Sequence, residues 1–371
     1  MTVTKGLEGI VATTSSVSSI IDGVLTYRGY NIDDLAENAS YEEVVYLLWH
    51  GKLPNKAELE KLVDDLSSNA PVPQQIIDQI SSCPKGANSM AVLRSAVSAL
   101  ALFDEEANDM SIEANLKKAV RLQAKLPTII AAFSRIRQGL EPVAPKAKAK
   151  VAENFLYMLT GKEPEKIAIE ALDKALVLHA DHELNASTFA ARVTVATLSD
   201  IYSGVTSAIG ALKGPLHGGA NEAVMAMLEE IGSPENLEKY IQDKLDNKEK
   251  IMGFGHRVYK NGDPRAKHLQ KMSYELGKLT GNMKWYDMSV KIEEIVTGAK
   301  GLKTNVDFYS ASVYTALEIP RDLFTPIFAI SRVSGWTAHI LEQYENNRLI
   351  RPRAEYVGPT DQKVIPIEKR A

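Results

Sequence analysis

Four stretches of this sequence place histidine, aspartate and arginine where they could do chemistry. In LKGPLHGGANEAV, residues 212–224, His217 stands between Gly214-Pro215 and Gly218-Gly219. Glycine costs backbone entropy and is kept where a chain turns sharply or comes close to another group. The pattern therefore predicts close approach to this imidazole. A helix is predicted from about Asn221 to Leu228, and the partial positive charge at its start disfavours an imidazolium. A neutral His217 aimed at a carbonyl could stabilise an enolate without first being protonated. The competing reading is a turn histidine bonded to backbone.

The stretch KIMGFGHRVYKNGDPRAK, residues 250–267, sets His256 behind Gly253 and Gly255 and adds Lys260, Arg265 and Lys267. It lacks the third glycine and the preceding strand of a dinucleotide motif. What remains suits an anionic ligand with an extended tail, or else a solvated basic loop. LHADHELNAST brings His179, Asp181, His182 and Glu183 close together. On a helix His179 and His182 would share a face, which raises a metal site, but the spacing is not H-E-x-x-H and zinc is not expected. Mutual satisfaction of polar groups at a helix end is the competing reading. Near the end, Asp307 falls at a predicted helix start, where aspartate is also a common cap. Arg332 sits beside Val333, Trp336 and Ile340, an apolar setting in which a guanidinium needs an anionic partner. Arg351 precedes Pro352, which holds it extended. Arg265, Arg332 and Arg351 together could grip a dicarboxylate through paired hydrogen bonds.

The elements that must position these groups are helices. Ser40 with Glu43, and Asn55 with Glu58, form capping-box patterns ahead of apolar residues at helical spacing. The stretch SIEANLKKAVRLQAKLPTIIAAFSRIRQG keeps the same period, with a kink expected at Pro127 and an end at Gly139. The best strand signal is SIIDGVLTYRGY, where Asp22-Gly23 between apolar pairs predicts a short hairpin. The expected fold is mainly α, with one or two small hairpins near the start. No repeat of ~20–50 residues is visible.

Composition narrows the function. With 371 residues, 45% hydrophobic and 24% charged, the chain can bury a large core and form two domains. A net charge of -4 argues against nucleic acid as main partner. The single cysteine, Cys83, excludes an internal disulfide and a thiolate cluster and reads as a bystander. No apolar run reaches the ~18 residues of a membrane span, and the start lacks the order of a signal peptide, so a cytoplasmic protein is expected.

Taken in order, LTYRGYNIDDLA, LHADHELNASTF, GPLHGGANEAV, GFGHRVYKNGDPRAK, NVDFYSASVY, SRVSGWTAHILEQ and RLIRPRAEYVGP resemble citrate synthase, in its shorter dimeric form, from about residue 6 to residue 359. The resemblance implies an almost entirely helical fold, with a small domain at 219–318 closing on a large domain made of 1–218 and 319–371. It implies an acyltransferase of the tricarboxylic acid cycle that condenses acetyl-CoA with oxaloacetate, needing no metal or other cofactor. His217 would bond the thioester oxygen, His256 would polarise the ketone, and Asp307 would take the methyl proton. His182, His256, Arg265, Arg332 and Arg351 would bind oxaloacetate, Arg351 from across a homodimer interface. CoA would meet Ile251, Gly253, Phe254, Gly255, Lys260 and Arg135. Lys260 stands where some members carry arginine, which keeps the charge and loses the planar fork. The rival readings are a 2-methylcitrate synthase using propionyl-CoA, a non-catalytic helical CoA-binding protein and, weakest, a metal-dependent hydrolase at His179 and His182; one methylene discriminates by only ~1–3 kcal/mol.

Overall fold

The computed structural model describes residues 5–7, 9–256, 258–259 and 262–370. Among them is one small antiparallel sheet in the order β1 (Ser18–Ile21), β2 (Val24–Tyr27), β3 (Tyr30–Asn31). The Asp22-Gly23 turn joins β1 to β2 in the register Ile21↔Val24 and Ser18↔Tyr27, as the hairpin signal predicts. All else that is regular is helical: α1 (Ile32–Asn38), α2 (Tyr41–His50), α3 (Lys56–Asn69), α4 (Gln74–Ser81), α5 (Ser89–Leu100), α6 (Ile112–Arg137), α7 (Val151–Thr160), α8 (Lys166–His179), α9 (Ala186–Val195), α10 (Ile201–Leu212), α11 (Ala220–Ile231), α12 (Pro234–Asp246), α13 (Ala266–Thr280), α14 (Lys284–Lys300), α15 (Val306–Ala316) and α16 (Phe324–Glu345), with a few short 3₁₀ turns.

Both capping boxes are formed. Glu43 accepts from the Ser40 N–H at 2.8 Å, and Asn55 and Glu58 bond each other's backbone N–H. Helix α6, where a kink is expected at Pro127, runs unbroken for 26 residues with Pro127 inside and ends at Arg137, two residues before Gly139. Burial explains this: residues 126–134 are all buried, and packing holds the helix through the proline.

The axis of the fold is α16. It is buried over almost its whole length and packs on α2, α5, α6, α8, α9, α10 and α11. Its approach to the turn after α8 is so close that a Cβ at Gly335 would lie 2.4 Å from Ala180 O and 2.5 Å from Asp181 Oδ1. Only glycine fits there, and the contact fixes Arg332 on α16 against the end of α8. Helices α11 to α15 pack on one another and meet the rest of the chain through α8, α16 and the 3₁₀ turn Arg321–Leu323, and through Lys267 and His268 of α13, which bond Asp33 of α1 at 2.7 Å.

Candidate functional site

The last turn of α8 is where the site begins. Helix-end carbonyls lack intrahelical partners and carry partial negative charge, so they favour cations. Here they receive two arginines: Arg332 donates from Nε to His179 O at 2.7 Å, and Arg265 from NH1 to Leu178 O at 3.5 Å. Both side chains are buried. Their surroundings differ. Arg265 is neutralised by the buried carboxylate of Asp263, which accepts from its Nε at 2.9 Å, NH2 at 2.8 Å and backbone N–H at 3.1 Å. Arg332 has no ion pair within 4 Å among the described residues, and its guanidinium lies 4.6 Å from the Phe328 ring centroid. Burial pulls it down to about 10, which leaves it a cation at neutral pH. A buried cation without a counter-ion is costly, and it is a place prepared for an anion.

Three histidines surround these arginines. His182 and His256 stand with ring centroids 5.3 Å apart, edge to face. His256 Nδ1 accepts from the backbone N–H groups of Val258 at 3.0 Å and Tyr259 at 3.2 Å. Its proton is therefore on Nε2, which is left as a donor. The His256 pKa is pushed down to about 4 by burial and then by Arg265, and that of His182 falls well below its ordinary value by burial, Arg265 and Arg332. His217 Nε2 lies 3.3 Å from the Ser187 backbone N and 2.7 Å from the Ser187 hydroxyl, which also donates to Asn185 Oδ1 at 2.8 Å and accepts from Trp336 Nε1 at 3.0 Å. It too is pushed down to about 4, by burial and then Arg332.

The start of α9 contacts the His217 ring through Ser187, and burial and Arg332 lower its pKa. A Cβ at Gly218 would lie 2.4 Å from Leu212 O, so that glycine lets the chain turn back on the end of α10. His179 and His182 do not share a helical face, because α8 ends at His179 and Glu183 has φ 48°. His179 bonds Ala175 O through Nδ1 at 2.7 Å, while Asp181 is held by Ser18 and by His339 Nε2 at 3.1 Å.

Asp307 is placed by backbone pairing. The segment 253–255 runs antiparallel to 303–305: Gly255 N–H bonds Lys303 O at 2.9 Å, Asn305 N–H bonds Gly253 O at 2.9 Å, and Phe254 bridges Thr304. Gly253 has φ 83° and its Cα faces Phe308, where a Cβ would lie within 2.6 Å of the ring. This ladder ties the loop bearing His256 to the start of α15, where Asn305 caps the helix through the Asp307 N–H. Asp263 accepts from the Val306 N–H at 3.1 Å, so a single carboxylate holds both Arg265 and the helix start beside Asp307. Asp307 Oδ1 is buried without a hydrogen-bond partner. Burial raises its pKa to about 7 against the pull of Arg265 and Arg332, helped by the charge of Asp263.

The other expected site residues lie differently. Ile251 and Phe254 are buried, and Phe254 packs edge-on to Phe308 at 4.8 Å. Lys260 lies outside the described residues. Arg135 is bound to Glu141 O at 2.7 Å and Leu159 O at 3.5 Å, lining a cavity of about 480 Å³ that includes no residue of 251–256. The structure does not bring it to the cluster. Arg351 is exposed and lines a different cavity of about 810 Å³ with Ser16, Arg192 and Gln343, so within this chain it too stands apart. Sequence reasoning missed Asp263, Tyr259, Ser187 and Tyr27. Tyr27 anchors the end of α8 through Asp181 O at 3.0 Å. The first two fall inside the 250–267 stretch and Tyr27 inside SIIDGVLTYRGY, but as buried partners of other residues they carry no signal of their own.

The cluster thus holds neutral imidazoles, a poorly solvated carboxylate and a guanidinium with no ion pair among the described residues. Residues 6–353 match the family described as "Citrate synthase, C-terminal domain". The chain belongs to the citrate synthase family. It is 68% identical to "Citrate synthase 2" of Bacillus subtilis over 100% of both chains, and 46% identical to "2-methylcitrate synthase 2" of Corynebacterium glutamicum over 99% of this chain and 98% of that one. The fold matches a citrate synthase from Thermoplasma acidophilum, solved as a ternary complex with carboxymethyl coenzyme A and oxaloacetate, with TM-score 0.93, 37% identity and 100% of both chains covered. The expected mainly α citrate synthase fold is thus observed.

Proposed function

We propose that the protein condenses acetyl-CoA with oxaloacetate and hydrolyses the resulting citryl-CoA to citrate and CoA, with His217, His256 and Asp307 as its catalytic groups. The observation that carries this reading is the pairing of a buried, unpartnered Asp307 oxygen with two histidines held neutral by burial, around an unneutralised Arg332.

A thioester methyl is a weak carbon acid, and an ordinary carboxylate is a feeble base for it. Raising Asp307 to about 7 brings it nearer the task at neutral pH. As its proton leaves, negative charge builds on the thioester oxygen, and the neutral His217 imidazole meets it with its N–H. Such a donor contributes about 3 kcal/mol. The enol then attacks the ketone of oxaloacetate, polarised by His256 Nε2–H, while Arg332, Arg265 and His182 hold the carboxylates. Bonded on two sides by Asp263, Arg265 offers fewer free N–H groups than Arg332, which takes the larger share. The segment Ile251, Gly253, Phe254 and Gly255 is assigned to CoA. Closure of 219–318 as a small domain would exclude water until condensation is complete. Arg351, exposed on an extended segment, is assigned to the site of a second copy in a homodimer, acting in the cytoplasm.

Oxaloacetate-dependent release of free CoA thiol by the purified protein tests the reading, with acetyl-CoA and propionyl-CoA run in parallel. A strong preference for acetyl-CoA is expected. Equal or faster turnover of propionyl-CoA would move the assignment to 2-methylcitrate synthesis.

A further inference from the structure

We propose that Tyr259 is a positioning residue for the oxaloacetate site, whose phenol hydroxyl fixes His182 while its backbone and ring fix His256. The inference rests on the assignment of His182 and His256 to oxaloacetate. Tyr259 is 4% exposed, and its hydroxyl lies 3.1 Å from His182 Nε2. The same residue donates its backbone N–H to His256 Nδ1 at 3.2 Å and lays its ring along that imidazole at 4.6 Å, tilted 34°. It meets His182 edge to face at 5.5 Å, and the Arg265 guanidinium lies 5.9 Å from its centroid. One buried side chain thus touches three of the groups assigned to the dicarboxylate.

The chemistry explains why a hydroxyl is needed there. A neutral imidazole has one donor and one acceptor nitrogen, and which is which follows from the partner each finds. His256 is oriented by two backbone N–H groups. Among the described residues, the side-chain hydrogen-bond partner of the His182 ring is the Tyr259 hydroxyl, which stays protonated because burial raises the phenol further above its ordinary range. Without it the His182 ring is free to rotate or change tautomer, and must be ordered at the moment of binding. That cost falls on oxaloacetate, whose carboxylates His182 helps to hold, and not on CoA.

Tyr259→Phe keeps the ring and removes the hydroxyl alone. Oxaloacetate binding to the full-length protein is measured by calorimetry, alongside KM for both substrates, kcat and Tm. The expected result is oxaloacetate affinity weakened about 5- to 10-fold, the worth of one net hydrogen bond. KM for acetyl-CoA at saturating oxaloacetate and Tm should stay within error. Tyr259→Leu, which also uncovers His256, should lower kcat in addition. Unchanged or tighter oxaloacetate binding in Tyr259→Phe would overturn the proposal, as would a loss of affinity for both substrates that tracks a fall in Tm. Failure of the native protein to bind oxaloacetate at all would instead remove the assignment of the site.

Discussion

Asp307 is a carboxylate in surroundings that do not suit a carboxylate, and this is what fits it for the proposed role of base. One oxygen has no partner, and burial outweighs the two nearby arginines. Replacing it by asparagine preserves shape and removes basicity, so Asp307→Asn should lower kcat by at least about 10³-fold while oxaloacetate affinity changes less than about threefold. Calorimetric titration with oxaloacetate and thiol release on the same preparation check both halves. At this scale the sequence was legible where a residue type is unusual for its neighbours. Arg332 in an apolar run and His256 behind two glycines both announce themselves, and the structure sets both in the cluster. Asp263 and Ser187 do not. An aspartate before a proline and a serine at a helix start have ordinary local explanations, and their grip on Arg265 and His217 exists only once the chain has folded.

Among the elements, α8 organises the site at one end and carries a half-buried carboxyl, Asp173, in its middle. Asp173 accepts the Tyr41 N–H at the start of α2 with both oxygens at 3.2 Å, near the buried Glu42, which accepts from the Val151 N–H at 2.8 Å. Burial and then the neighbouring Glu42 raise the Asp173 pKa well above the usual carboxylate range. A carboxyl whose folded pKa stands above its unfolded one contributes stability below the unfolded value, and that contribution is lost as pH rises through the folded value. Asp173→Asn keeps an acceptor for Tyr41 and removes the charge. It should raise Tm by roughly 1–3 °C at pH 8 and by less at pH 5, read by thermal melts at both. The helices themselves were legible because capping boxes and apolar spacing are local signals, as at Ser40 and Asn55. The ladder between 253–255 and 303–305 was not, since two short segments some fifty residues apart carry no pairing signal.

On the scale of the whole molecule, the mainly helical class followed from the periodicity of almost every segment, while the central place of α16 did not. That place depends on a close approach at Gly335 to a turn far away in sequence. Arg351 raises the remaining question at this scale, because within one chain it stands over a cavity apart from the histidines. If it serves the site of a second copy, two inactive variants can repair each other. Co-expressed Asp307→Asn and Arg351→Leu chains should form mixed dimers with one intact site, and random pairing then gives about a quarter of native activity. Activity no greater than that of the separate variants would place Arg351 in its own subunit's site, or in none.

The most direct test of the account is the pH dependence of kcat/KM for acetyl-CoA at saturating oxaloacetate, from pH 5 to pH 9. Asp307 must be ionised to accept a proton, so activity should fall about tenfold per pH unit below about 7. His217 and His256, held near 4, should add no limb of their own in that range. A profile flat down to pH 5 would contradict an Asp307 base raised by burial, and with it the proposed mechanism.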